Sequence, residues 1–279
     1  MTVSHQFKQE FGSRSRLRSF RENAAAYLAL FRRKPRRLAS TRRRRLPLWL
    51  ITGVALTACT MILVDAWSVG AVQHLPSWLI SILDEITDFG RLTWILVPTG
   101  ALLLLLGVLA SPDVPRMAQG VVAAVAVRLS FLFTATALPG LVMTLLKRLI
   151  GRGRPLVGGS ADPFLYHPLG WNVEYASLPS GHATNAFAAA VAIGALWPRT
   201  RPFMWAYAIV IALSRVVLTA HFASDVFAGA CAGIAGALLV RRWYAVRRLA
   251  FYQDGEGMIR PLPSPSFSRL KRVARQLIT

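Results

Sequence analysis

Six stretches of this 279-residue chain are apolar for about the 20 residues that a helix needs to cross a bilayer core. They fall near 46–64, 92–110, 121–146, 182–198, 202–220 and 223–240. A large soluble helical core would show polar stripes at helical spacing, and these stretches have almost none. The pattern predicts an all-α, polytopic membrane protein with six transmembrane helices.

The charge is distributed to match. The chain carries 33 Lys and Arg against 12 Asp and Glu, a formal charge of +21. Residues 1–45 hold 14 of the basic residues with two acids, residues 241–279 hold nine with two, and residues 46–240 hold ten with eight. A nearly neutral apolar body, 46–240, thus lies between a basic arm, 1–45, and a basic tail, 241–279. Lys and Arg collect on the cytoplasmic flanks of membrane spans. Arg42–Arg45 stand directly before the first span, and Arg241 and Arg242 directly after the last. An even number of spans puts both termini on one side, so both are predicted to be cytoplasmic, where they meet anionic inner-leaflet lipids. A nucleic-acid binder would have to work through these tails alone, and no nucleic-acid partner is expected. In the arm, residues 15–32 mix Leu17, Phe20, Tyr27, Leu28, Leu30 and Phe31 with arginines. That fits either an interfacial helix or a disordered topogenic arm. The tail, with Pro261, Pro263 and Pro265, is predicted to be mostly unstructured apart from a short basic helix at 268–277.

Leu56-Thr57-Ala58-Cys59 could pass for a lipoprotein cleavage site and Arg42–Arg45 for a twin-arginine signal. Apolar sequence continues through Met61, Ile62, Leu63 and Val64, so the first span is read as an anchor. Cys59 and Cys231 then sit in lipid-buried helices and need no disulfide.

Alternation of the spans places the turns at 111–120 and 199–201 inside. The loops 65–91 and 147–181 and the turn near His221 fall outside. The first loop carries Asp65, Asp84, Glu85 and Asp88 against Arg91 alone. The second breaks the charge rule with Lys147, Arg148, Arg152 and Arg154, which suggests an anion site. The same alternation brings to one outer face Lys147, Arg148, Arg152 and Arg154, Ser180, Gly181 and His182, Ser214 and Arg215, and His221 and Asp225. Ionisable groups at the edge of a bilayer core are costly and usually mark function. The arginine fork matches phosphate oxygens two at a time, and Lys adds a point charge. Pro179-Ser180-Gly181-His182 opens a helix whose free N–H groups and dipole favour an anion, and Ser180 adds a hydroxyl. His221 and Asp225, four apart, stack on one helix face, where the carboxylate can fix the imidazole tautomer and raise its nucleophilicity. His182 is available as a proton donor. By role this is a phosphoryl-transfer site.

Three motifs carry a resemblance. Lys147–Pro155 fits Lys-x6-Arg-Pro, residues 179–182 read Pro-Ser-Gly-His, and residues 214–225 fit Ser-Arg-x5-His-x3-Asp. Together they resemble the tripartite signature of the type 2 phosphatidic acid phosphatase superfamily, which vanadium haloperoxidases share. The motifs cover about 145–230, and the six-span plan extends the likeness to 46–240. The resemblance implies that His221 attacks phosphorus and forms a phosphohistidine. It implies that Asp225 orients His221, and that His182 protonates the leaving oxygen and then helps activate water. By the same resemblance Lys147, Arg154, Ser180, Gly181 and Arg215 bind the phosphate oxygens and stabilise transition-state charge. Ser214 is a supporting member. No metal and no cofactor are expected.

Other polar residues are read more plainly. Arg148 and Arg152 are taken as anchors ending the third span, and Arg128 as a residue snorkelling to the inner surface. Pro139-Gly140 is expected to kink its span. His74 and His167 are taken as solvated, and Asp84, Glu85 and Asp88 as a solvated acidic loop. Trp171 and Tyr175 suit an interfacial belt or the mouth of a head-group site. The long segment 156–178 is a candidate lid.

The resemblance thus implies a lipid phosphatase of the bacterial inner membrane with its active site on the periplasmic side. Undecaprenyl diphosphate, phosphatidate, phosphatidylglycerol phosphate and lipid A are candidate substrates, with a polyprenyl diphosphate or glycerophospholipid favoured. A lipid-to-lipid phosphotransferase would use the same site. A haloperoxidase would hold vanadate there, but those enzymes are soluble. A channel or transporter with an external anion site would spread polar residues through the depth of its spans, whereas here they gather at one end.

Overall fold

The computed structural model describes residues 21–36, 46–109 and 115–278. Arg42–Arg45, the amino arm before residue 21 and residues 111–114 of the 111–120 turn lie outside the described residues. In chain order, residues 21–31 form α1. There follow α2 (Leu46–Leu63), α3 (Asp65–Val72), α4 (Ser77–Thr87), α5 (Thr93–Leu109), α6 (Arg116–Ile150), α7 (Gly181–Leu196), α8 (Arg201–Val217) and α9 (Ala223–Val246). A hairpin of β1 (Phe251–Gln253) and β2 (Ile259–Pro261) and a last helix, α10 (Phe267–Ile278), complete the described chain. Each of the six apolar stretches is therefore helical, in α2, α5, α6, α7, α8 and α9. By length and composition, Ser77–Leu109 (33 residues), Arg116–Ile150 (35) and Ala223–Val246 (24) can cross a membrane. Leu48–Leu63 and Asp65–Val72 together make a fourth candidate, bent by 54°. α7 and α8 are shorter, at 16 and 17 residues.

The chain divides into two compact units. One is drawn from Met1–Leu38, Val97–Phe133 and Arg242–Thr279, the other from Ala39–Leu96 and Thr134–Arg241. Every predicted site residue belongs to the second.

The second unit is organised around α7. Its run Gly-His-Ala-Thr-Asn-Ala-Phe-Ala-Ala-Ala is apolar on nearly all sides, as a helix must be when neighbours surround it. Ala183, Ala186, Phe187 and Ala190 pack with Ala208, Ile211 and Ala212 of α8 and Val226 and Ala230 of α9. Small side chains let helix backbones approach closely, which is how helices associate where water provides no drive. The seam with α9 is the tightest. A Cβ on Gly229 would lie 2.4 Å from the Ser180 carbonyl oxygen, and one on Gly233 would lie 2.3 Å from that of Thr184. The α7–α8 turn is short: Arg201 Nε donates to the Gly194 carbonyl at 3.0 Å, and a proline in the first turn of α8 suits a helix start.

α6 stops at Gly151, whose φ of +65° is a left-handed helix ending. A Cβ there would fall 2.0 Å from the His167 carbonyl oxygen, so no other residue fits. The segment that follows is stitched to the framework. Gly153 N donates to Leu165 O, Arg154 N to Glu174 O, His167 N to Gly151 O, Leu169 N to Arg148 O and Ser177 N to Arg152 O. Arg148 donates to the carbonyls of Trp171 and Asn172 at 2.6 and 3.1 Å. The candidate lid is thus held by its backbone through its middle and its far end. The region read as an outer loop, 65–91, is instead α3, α4 and a 3-10 turn at Asp88–Gly90. In α4 the apolar residues recur at helical spacing among Ser81, Asp84 and Glu85, a pattern too short to stand out as a span.

The first unit corrects the picture of a mostly unstructured tail. β1 and β2 pair antiparallel, Phe251 opposite Pro261 and Gln253 opposite Ile259, and Asp254 accepts from the backbone N–H groups of Glu256 and Met258 in the turn. Phe251 packs edge-on to Phe131 at 4.7 Å, and Phe131 meets Tyr244 at 5.3 Å. Arg128 does not snorkel to a surface. It is buried, and its guanidinium donates to the carbonyls of Ala124, Leu262 and Pro263 at 2.7, 2.9 and 2.8 Å. The amino arm is tied in as well: Tyr27 Oη donates to Ala126 O at 3.0 Å, and Phe31 stacks on Trp243 at 5.8 Å. α10 places Leu270 and Val273 against Ala118, Val121 and Val122.

Candidate active site

The local folding rules that end α6, start α7, end α8 and start α9 deliver the site residues. Lys147 lies in the last turn of α6. Ser180 caps α7, its Oγ accepting from Ala183 N at 3.5 Å, so Gly181 and His182 fill the first turn. Arg215 and Ser214 lie in the last turn of α8, and Asp225 in the first turn of α9, with His221 in the tight turn between. Ser180 N donates to Asp225 O at 2.9 Å, which fastens the start of α7 to the start of α9.

The structure brings the predicted residues together. Lys147 Nζ lies 3.3 Å from where a Gly181 Cβ would stand, at the first residue of α7. His182 has Arg215, His221, Lys147 and Arg91 as electrostatic neighbours, and Lys147 has Arg154, Arg148, Asp225 and Arg215. The Nε atoms of Arg154 and Arg215 are buried with no hydrogen-bond partner. A buried N–H without an acceptor is costly, and two such groups on cations fit a multivalent anion such as phosphate.

His221 is 3% exposed and Asp225 is fully buried. Burial pushes the His221 imidazole below its ordinary range. The Asp225 carboxylate opposes that shift, and Arg215 and Arg154 add to it. A ring shifted that way is uncharged at neutral pH. The expected direct His221–Asp225 bond is long: Nδ1 and Oδ2 stand 3.7 Å apart. Ser177 Oγ fills the gap, 3.3 Å from Nδ1 and 2.5 Å from Oδ2.

Several residues at this site escaped the sequence reading. Arg152, read as an anchor, is fully buried and pairs with two carboxylates, Asp225 at 2.5 Å and Asp65 at 2.8 Å. Its Nη1 also reaches Ser224 Oγ at 2.7 Å, its Nε reaches Pro163 O at 2.9 Å, and its plane lies over Phe222 at 4.5 Å. Asp65, read as an outer-loop acid, accepts from Ser224 Oγ and Ser224 N at 2.5 and 2.9 Å. Thr87 Oγ1 accepts from Arg215 and from Ser214 Oγ, both at 2.9 Å. Gly90 packs against the His182 ring, where a Cβ would come within 3.0 Å. Of the acids in that region, Asp84 and Glu85 are exposed, while Asp88 pairs with Arg91 at 2.7 Å. His74 and His167 are exposed, and His167 stacks near Tyr175 at 5.3 Å. The only advance sign of the Arg152 cluster was compositional: Asp65 is an acid immediately after an apolar stretch.

This arrangement can hold a phosphate against a helix start with three cations and present a neutral imidazole to it. Comparison with known proteins gives the chain its relatives. Residues 128–249 match the PAP2 superfamily. A lipid A 1-phosphatase of Rhizobium etli is 33% identical over 210 residues, covering 75% of this chain and 89% of the relative. One of Rhizobium johnstonii is 34% identical over 200 residues, covering 71% and 80%. A crystal structure of a transmembrane PAP2-type phosphatidylglycerolphosphate phosphatase from Bacillus subtilis superposes with a TM-score of 0.44 at 20% identity, over 69% of this chain and 92% of the other.

Proposed function

Since this chain belongs to the PAP2 superfamily, we propose that it removes the 1-phosphate of lipid A at the periplasmic face of the bacterial inner membrane. The enzyme is a membrane phosphatase, a phosphoric monoester hydrolase. The choice of lipid A replaces the sequence-based preference for a polyprenyl diphosphate or glycerophospholipid. It is supported by two relatives that bear that activity in their names and share most of their length with this chain. In this reading the chain crosses the membrane six times, in α2, α5, α6, α7, α8 and α9, with both termini cytoplasmic and the site at the outer boundary. The exposed Trp67, Trp78, Trp94 and Trp171, in the segments around Asp65, Thr87, Asp88 and Ser177, suit a headgroup-level belt. In chain order, 46–240 is the phosphatase body, with the basic arm and tail inside.

The observation that carries the reading is the pair of buried, unpartnered Nε atoms on Arg154 and Arg215 beside neutral His221. The phosphate is held by Lys147, Arg154, Arg215, the Ser180 hydroxyl and the N–H groups at Gly181 and His182. His221 Nε2 attacks phosphorus while the bond to the lipid oxygen breaks, and His182 gives that oxygen its proton. Water, deprotonated by His182, then attacks the phosphohistidine and releases inorganic phosphate. Fixed cations aimed at the growing equatorial charge stabilise the transition state without reorganising.

The test is phosphate release in detergent from lipid A, phosphatidate, phosphatidylglycerol phosphate and undecaprenyl diphosphate. Wild type is expected to prefer lipid A, and His221→Ala to lose about 10⁴-fold or more in kcat. Equal rates for the two proteins would refute the mechanism. Preference for another lipid would refute the substrate, and phosphate appearing on a second lipid would mark a transferase. A topology reporter after residue 279 found outside would refute the orientation.

A further inference from the structure

A buried chain of polar groups runs from His221 to a residue far away in sequence, and the phosphoryl-transfer steps above leave most of it unused. Asp65, Arg152, Ser177, Ser224 and Asp225 are all fully buried. Burying two carboxylates and a guanidinium costs several kcal/mol per ion unless each is closely paired, so an arrangement kept at that cost invites a functional reading.

The geometry is directional. Ser177 donates its one hydroxyl proton to Asp225 Oδ2 at 2.5 Å. Its oxygen, 3.3 Å from His221 Nδ1, can then only accept, which requires the proton on Nδ1 and leaves the Nε2 lone pair free. Direct Nδ1–Oδ2 contact at 3.7 Å is beyond hydrogen-bond range. Asp225 itself is immobilised. Phe222 N donates to Oδ2 at 3.0 Å, and Arg152 Nη1 holds Oδ1 at 2.5 Å. Arg152 is fixed in turn by Asp65 at 2.8 Å. Asp65 is clamped by both the amide and the hydroxyl of Ser224, on the first turn of α9 beside Asp225.

We infer that Ser177 is a positioning residue that links His221 to Asp225 and selects the nucleophilic tautomer, and that the Arg152–Asp65 pair holds Asp225 in register for that link. The second carboxylate has its own part. One guanidinium shared between two carboxylates leaves the buried group with one net negative charge. Attack on phosphorus makes the ring a cation with its proton on Nδ1, and that charge is met through the Ser177 hydroxyl. No proton leaves Nδ1 in the step.

This inference rests on the phosphatase reading, and one experiment separates the two. Phosphate release is measured for wild type, Ser177→Ala, Asp225→Asn and the double variant, with thermal melting of each. Ser177→Ala is expected to lower kcat by about 30- to 100-fold with KM within about twofold, as loss of tautomer control does. In the Asp225→Asn background the same change should cost less than about threefold, because residues acting through one another are not additive. Ser177→Thr, which keeps the hydroxyl, should recover at least a tenth of wild-type kcat, and Arg152→Lys should lower kcat without changing KM. Wild-type kcat in folded Ser177→Ala, or losses that multiply in the double variant, would overturn the inference while leaving the phosphatase reading intact. A wild type that releases phosphate from no lipid would overturn both.

Discussion

The two units use arginine in opposite ways. In the site unit, Arg152 lies between two carboxylates, and the Nε atoms of Arg154 and Arg215 are buried with no hydrogen-bond partner. In the unit built from the chain ends, Arg128 satisfies three backbone carbonyls, Arg247 covers the face of Trp243 at 3.9 Å, and Arg269, Lys271 and Arg272 stand in solvent along α10. The charge count is higher in the second kind of place, and the proposed chemistry lies in the first. What separates them is whether each guanidinium is desolvated, and whether its partner is an anion, a carbonyl or water.

That contrast can be broken at graded points. Arg152→Met should remove about 3–5 kcal/mol of stability, because it strands two buried carboxylates; a melting point within a few degrees of wild type would sink the buried-pair account. Arg215→Ala should leave the protein folded and lower kcat about 10²- to 10³-fold, the usual loss for one preorganised charge donor, read by phosphate release. Arg128→Met should show the reverse pattern: a stability loss of about 1–3 kcal/mol from three orphaned carbonyls, with kcat unchanged in the folded fraction. A milder probe is pH. Burial lowers the His221 imidazole, so the nucleophile stays unprotonated below its ordinary 6.5. The acid limb of kcat/KM is therefore expected below that value, and a midpoint above it would show an imidazole stabilised as a cation. The smallest effect belongs to Arg269, Lys271 and Arg272 replaced together by Ala, which should change kcat in detergent less than about twofold, as solvated surface positions do.

What could be read from sequence follows the range of the interactions. The six apolar stretches are local patterns, and all are helical. Lys147, Arg154, Ser180, His182, Arg215, His221 and Asp225 stand in three short motifs, and the ends of the helices that carry them meet. Asp65 and Arg152 lie 87 residues apart, and neither has a local sign of the other. A lone acid after a span reads as an outer-loop residue, and an arginine after a span reads as an anchor. Ser177 lies three residues before Ser180, in a segment with no periodicity, and only the gap between His221 and Asp225 gives it meaning. Arg128 was misread because its acceptors, Leu262 and Pro263, belong to a tail whose hairpin is three residues a side, below what alternation can reveal.

The glycine seam between α7 and α9 has a mechanical consequence. Gly229 and Gly233 bring α9 against the carbonyls of Ser180 and Thr184 with no side chain between them. His182 begins one of these helices and Asp225 the other. The spacing between the starts of these two helices, and so between His182 and Asp225, is therefore set by contact of main chain on main chain. Such a contact has no rotamers to populate, so it does not loosen as temperature rises in the way a leucine-lined seam can. It acts as a fixed gauge: the separation of the two helix starts is built into the backbone.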